Sequence, residues 1–155
     1  MDDQSELRGH LIELLNGRSA HIDLAAAISG FPVEHINTRI ENSPHTAWEL
    51  LEHLRLAQWD ILDFSVNPEY REMTFPDDYW PKEVGTEDTW KASIVQVLAD
   101  LQAMRDLVSD PKTDLYAPIA HGDGQTLLRE ALLVADHNAY HLGQIMLLRR
   151  ILENS

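Results

Sequence analysis

The chain has 155 residues, of which 44% are hydrophobic, and this balance is typical of a folded globular protein. Its 26 acidic and 12 basic residues give a net charge of −14, which disfavours binding to nucleic acids and anionic lipids because both carry negative phosphates. The absence of cysteine excludes disulfides, thiolate metal sites and a cysteine nucleophile.

No stretch of the sequence approaches the ~20 consecutive apolar residues that a membrane helix needs. The acidic start, Met1-Asp2-Asp3-Gln4, lacks the basic and apolar segments of a signal peptide. We therefore expect a cytoplasmic protein with no membrane contact. No repeat or linker interrupts the chain, so we expect residues 1–155 to form a single domain.

The first arm of the chain is irregular. Leucines at helical spacing predict a short amphipathic helix over residues 6–16, which Gly17 ends or kinks. The pattern then predicts a second helical piece from about Ser19 to Ser29, before Gly30-Phe31-Pro32.

The next helix, which is the second helix of the predicted bundle, has a clear start, because Thr46 and Glu49 have the spacing of a capping box. Its apolar face continues until Pro68 ends it. The face consists of Ala47, Leu50, Leu51, Leu54, Ala57, Ile61 and Leu62. The long loop over residues 69–85 is either a lid or binding loop, or simply a segment whose Trp80-Pro81 closes one end of the core.

Two more helices follow, over residues 86–109 and from about Thr126 to Glu153. No segment has the alternating pattern of a strand, so the fold class is predicted to be all-α, as a four-helix bundle.

Three histidines have the positions that a metal site in such a bundle requires. His137 and His141 are four residues apart, so both rings lie on one face of the last helix, one turn from each other. His53 lies at the matching border of the second helix. Three imidazoles with one open position form the ligand set of a catalytic zinc site. Nickel, iron(II) and manganese are further candidates, since imidazole binds several of these ions.

The same histidines could also be ordinary hydrogen-bonded side chains, since an HxxxH pair alone is a weak signal. We assign no role to the remaining five, although two of them, His45 and His121, could line the mouth of a pocket. The other three are His10, His21 and His35. Asn138 stands where an HExxH metalloprotease needs glutamate, and the paired Glu-x-x-His motifs of di-iron bundles are missing.

Two segments resemble the DinB superfamily of metal-binding bundles, a family distinct from the DNA polymerase of the same name. They are residues 44–54, PHTAWELLEHL, and residues 127–145, which include DHNAYHLGQI. The resemblance implies an up-down-down-up four-helix bundle, often a homodimer, with a metal between the second and fourth helices. By position it assigns the ligands to His53, His137 and His141.

Relatives of this fold include transferases and isomerases that use low-molecular-weight thiols, and metal-dependent hydrolases. We therefore expect a metal-dependent hydrolase or thiol transferase of a small-molecule substrate, with zinc or nickel preferred over iron or manganese. Glu49 and Asp60 are the predicted catalytic carboxylates. The further pocket candidates are Glu130, Asp136, Tyr140 and Gln144. The alternatives are a non-catalytic metal- or small-molecule-binding protein with a stress-related role, and a helical interaction domain whose histidines never meet.

Overall fold

A computed structural model describes residues 3–153 of the chain. Within this range the fold contains five α-helices, two short 3-10 helices and no β-strand beyond one isolated bridge between Pro118 and Thr126. The α-helices are α1 (Asp3–Asn16), α2 (Leu24–Ser29), α3 (Ala47–Val66), α4 (Glu87–Ser109) and α5 (Leu127–Leu152). The 3-10 helices are Val33–His35 and Asp77–Tyr79. The predicted all-α class is confirmed.

The first arm differs from the prediction at the start of α2, which begins at Leu24 rather than near Ser19. Asp23 determines this start, because its carboxylate accepts the backbone N–H of Ala26 at 2.8 Å and pairs with Arg18 at 2.8 Å. Gly17 ends α1 in a left-handed conformation with φ of +67°, as its position suggested.

Threonine caps define the starts of the three long helices that follow. The Thr46 hydroxyl accepts the N–H of Glu49 at 3.2 Å, while the Glu49 carboxylate accepts the N–H of Thr46 at 2.8 Å. This confirms the predicted capping box at α3. Thr86 forms a capping box with Thr89 at α4, and the Thr126 hydroxyl accepts the N–H of Arg129 at α5.

The core lies where α3 packs against both α4 and α5, with α1 packed on α4 and α5. Its largest fully buried side chains include Leu51 and Leu54 of α3, Met104 of α4 and Ile145 of α5. These contacts fit a helical bundle, and the up-down-down-up order stays a prediction. None of the described helices combines the length and the hydrophobicity needed to cross a bilayer.

Hydrogen bonds and packing fix the loop between α3 and α4 to the bundle. The indole N–H of Trp48 donates to the carbonyl of Glu83 at 2.8 Å, and the Asn37 side chain bonds both backbone groups of Gly85. Gly85 lies so close to Trp48 that a Cβ on it would be 2.5 Å from the indole ring. The loop therefore has a defined position against α3, and its 3-10 helix Asp77–Tyr79 packs there.

Candidate metal centre

The three predicted histidines meet between α3 and α5. One ring nitrogen from each of His53, His137 and His141 lies within 4.8 Å of the others. Nε2 of His53 and Nε2 of His137 are 3.1 Å apart. In a tetrahedral zinc site with bonds of 2.0–2.1 Å, two nitrogens are separated by about 3.4 Å. The three nitrogens therefore lie close enough together to hold one small divalent ion.

The helices give the rings an edge-to-face arrangement. The His137 and His141 ring centroids are 4.6 Å apart, as expected for neighbouring turns of α5. The His53 ring reaches across from α3, with its centroid 5.0 Å from that of His137 and 4.7 Å from that of His141. The imidazoles consequently surround a common point instead of stacking on one another.

Hydrogen bonds orient two of the three rings. Nδ1 of His53 lies 2.8 Å from the backbone carbonyl oxygen of Tyr79, and Nδ1 of His141 lies 2.6 Å from Oε1 of Gln144. Because both partners are acceptors, each Nδ1 carries the proton, and each Nε2 keeps its lone pair. Partners of this kind fix the tautomer of a metal-binding histidine.

His137 has a different environment. Its Nδ1 is buried without a hydrogen-bond partner in the described part of the chain, and its Nε2 faces Nε2 of His53. Two neutral imidazole nitrogens at this distance require a proton between them. A cation shared by the three nitrogens would replace that proton, so this contact also fits a metal ion.

Burial keeps all three histidines in the form that binds metal. It lowers the pKa of His137 to about 4, with a further contribution from the neighbouring His141 and His53. Burial is also the main cause that lowers the pKa of His53 and of His141. The rings are therefore neutral at pH 7, which is the protonation state that metal binding needs.

Aromatic side chains surround the histidines. Trp80 lies between His45 and His53, with ring centroids 4.0 Å from each and interplanar angles of 14° and 6°. Tyr140, which is largely exposed, meets His141 edge-to-face at 4.9 Å. The sequence suggested His45 as a residue of a pocket mouth, but it gave no indication that Trp80 would stack on a ligand.

Asp60, one of the two predicted catalytic carboxylates, is buried and accepts two tyrosine hydroxyls. Tyr79 donates to it at 2.6 Å and Tyr70 at 2.9 Å. Burial, followed by these hydrogen bonds to Asp60, raises the pKa of both tyrosines. Since Tyr79 also binds His53 through its carbonyl, Asp60 is connected to the histidines through one residue. Its catalytic role stays a prediction.

The carboxylate oxygens of Glu49, the other predicted catalytic residue, have bonding partners at the start of α3. Besides capping Thr46, it pairs with Arg39 at 2.8 Å and lies 3.7 Å from Nδ1 of His45. It is not among the residues that contact the three ligand nitrogens, and its catalytic role also stays a prediction.

The other candidates of α5 divide between the core and the surface. Glu130 is buried and pairs with Arg129 at 2.6 Å, whereas Asp136 is exposed. Asn138 is buried and donates to Oε1 of the buried Gln58 at 2.8 Å. Gln144 is the candidate that forms a hydrogen bond with a ligand.

Comparison with known proteins identifies a family match. A family model described as the DinB superfamily matches residues 18–145, more than half of the chain, and the matched range includes all three histidines. No curated protein and no solved structure matches the chain.

Proposed function

We propose that this chain, which belongs to the DinB superfamily, binds one divalent metal ion through His53, His137 and His141. With this ion it acts as a metal-dependent hydrolase or as a low-molecular-weight-thiol transferase. The observation that carries this proposal is the convergence of three neutral imidazoles, two of which have their tautomers fixed by hydrogen bonds. Zinc or nickel is the preferred ion, with iron or manganese as alternatives.

When bound, such an ion supplies a water or thiol nucleophile near neutral pH by lowering its pKa. The chain's own residues hold the ligands in position. Tyr79 and Gln144 keep the protons of His53 and His141 on Nδ1, and the Trp80 ring covers one face of His53 and excludes water from it. These contacts fix the donor atoms before an ion arrives, which reduces the free energy needed to order them.

Glu49 and Asp60 are the proposed proton acceptors. Glu49 binds Thr46 and Arg39, and Asp60 binds Tyr70 and Tyr79. A catalytic role therefore requires each carboxylate to exchange these partners during the reaction. The proposal also includes a cytoplasmic setting. The family resemblance supports a small-molecule substrate and a homodimer, and the net charge of −14 disfavours a nucleic-acid partner.

Metal loading of purified protein tests the proposal directly. After removal of metal with a chelator, the protein is titrated separately with zinc, nickel, iron(II) and manganese, and bound metal is counted by elemental analysis. We expect one ion per chain, followed by hydrolysis or thiol transfer on a panel of small esters, amides and electrophiles. A wild-type protein that binds none of these ions contradicts the proposal.

A second candidate, a non-catalytic metal- or small-molecule-binding protein with a stress-related role, has one observation in its favour. Both predicted catalytic carboxylates already accept hydrogen bonds from residues of the fold. Stoichiometric metal binding without turnover across the panel would favour this candidate.

A further inference from the structure

An apolar groove with a volume of about 270 Å³ lies between α5 and the segment that precedes α3. Two of its walls, Leu147 and Ile151, are 59% and 44% exposed although they are large and apolar. Exposed apolar side chains that line a concave surface mark a binding site more often than scattered ones do.

One end of the groove adjoins side chains that pack around the candidate metal ligands. Two polar residues line this end, His45 and Gln144. Gln144 holds Nδ1 of His141 at 2.6 Å, and His45 stacks on Trp80, which stacks in turn on His53. Gln144 is therefore a neighbour of a metal ligand, and His45 is a neighbour of the Trp80 ring that covers another ligand. Because Oε1 of Gln144 faces His141, its Nε2 amide is left as a donor at this end.

The dimensions of the groove limit what it can hold. Along α5 it runs from Gln144 to Ile151, seven residues, or about 10 Å, the length of an alkyl chain of roughly eight carbons. A cavity of about 150 Å³ already accepts benzene, so this groove has room for a larger group. Glu41 is the one formally charged side chain on its walls, which favours a neutral occupant over an anionic one.

We propose that this groove binds the neutral apolar arm, alkyl or aryl, of the substrate whose polar head lies at the three histidines. The inference rests on the proposed function and narrows its substrate class to molecules with a metal-binding head and an arm of up to about eight carbons.

A chain-length series of alkyl hydroxamates tests the inference without any assay of turnover. The hydroxamate head binds the metal of cobalt(II)-loaded protein and changes its visible absorption, and calorimetry gives the affinity. We expect affinity to rise about threefold to fourfold with each methylene from acetohydroxamate upward and to level off near octanohydroxamate.

Two leucine-to-aspartate variants test whether the dependence of affinity on chain length arises in the groove. Leu147→Asp places a charge in the groove, whereas Leu132→Asp places it on an exposed leucine of the same helix outside the groove. We expect Leu147→Asp to abolish the dependence on chain length and to leave the affinity for acetohydroxamate unchanged. Leu132→Asp should retain the dependence.

Three results would overturn the inference: no dependence on chain length in the wild type, the same dependence in Leu147→Asp, or its loss in both variants. A wild-type dimer that Leu147→Asp dissociates, combined with a flat series, would show that a second copy covers the groove. Protein that takes up neither cobalt(II) nor any of zinc, nickel, iron(II) and manganese would overturn the proposed function itself. Cobalt(II)-loaded protein with a flat series would overturn only the assignment of the groove.

Discussion

Tyr79 binds His53 through its backbone carbonyl and Asp60 through its hydroxyl, at 2.8 Å and 2.6 Å. His53 and Asp60 both belong to α3, so a single loop residue contacts that helix at two points about two turns apart. The side-chain contact holds the 3-10 helix Asp77–Tyr79 on α3, and the backbone contact orients the histidine. The loop thus contributes to the metal centre without supplying a ligand.

This arrangement predicts different effects for two similar substitutions. Tyr79→Phe removes the hydroxyl that anchors the loop, so the carbonyl holds His53 less firmly, and we expect metal affinity to fall about tenfold. Tyr70→Phe removes the other hydroxyl on Asp60 but leaves the residue that contacts His53. Calorimetric titration with zinc measures both. Equal losses in the two variants would show that Asp60 acts through general stability and not through the position of His53.

Removal of any ligand should abolish tight metal binding. We expect alanine at His53, His137 or His141 to lower the affinity by more than about 100-fold, because two imidazoles remain of three. His10→Ala is the matched control, since this histidine lies on the exposed face of α1. Elemental analysis after dialysis measures the bound ion. Retention of stoichiometric metal by all three variants would place the ion elsewhere in the chain.

The metal-free protein should become less stable as the solution is acidified. A histidine of the unfolded chain titrates near pH 6.5, whereas burial lowers the pKa of His137 to about 4. Between these values the unfolded state binds more protons, so the free energy of unfolding falls as the pH decreases from about 6.5 to 4.

Denaturant titrations across this pH range, on wild type and on His137→Asn, isolate the contribution of this histidine from that of the many carboxylates. The variant should show a shallower dependence. An identical slope in both proteins would contradict the lowered pKa of His137.

Two glycines should respond in opposite directions to alanine. At Gly85 a Cβ would lie 2.5 Å from the Trp48 ring, and we expect a loss of about 1–3 kcal/mol from overpacking. At Gly143, on the exposed face of α5, a Cβ would meet nothing within 4 Å, and we expect a gain of about 0.5–1 kcal/mol. Thermal and denaturant unfolding measure both. A neutral Gly85→Ala would indicate that the loop can shift away from α3.

The sequence predicted the long helices well because local chemistry marks their starts. Thr46 and Glu49 form the expected capping box, and the bounds of α3, α4 and α5 agree with the predicted ones to within about two residues. The start of α2 was missed because Ser19 and Asp23 are both acceptable caps. The pairing of Asp23 with Arg18 and with the Ala26 N–H favours the later one.

In the candidate site too, the sequence predicted the features that depend on local patterns and missed those that depend on tertiary packing. Helical periodicity and the family resemblance were sufficient to bring His53, His137 and His141 together. The Tyr79 carbonyl and the Trp80 ring could not be predicted, because their positions depend on how the loop packs on α3, which has no periodic signature. Contacts made by a loop backbone depend on tertiary structure more than on residue type.

The separation of the ligands along the chain has a consequence for biosynthesis. His53 and His137 are 84 positions apart, and His137 and His141 belong to the last helix of the described fold. A nascent chain therefore carries one ligand while α4 is being made and gains the other two together once α5 has been synthesised. Products truncated before α5 lack two of the three ligands, so metal uptake distinguishes chains that contain α5 from chains that do not.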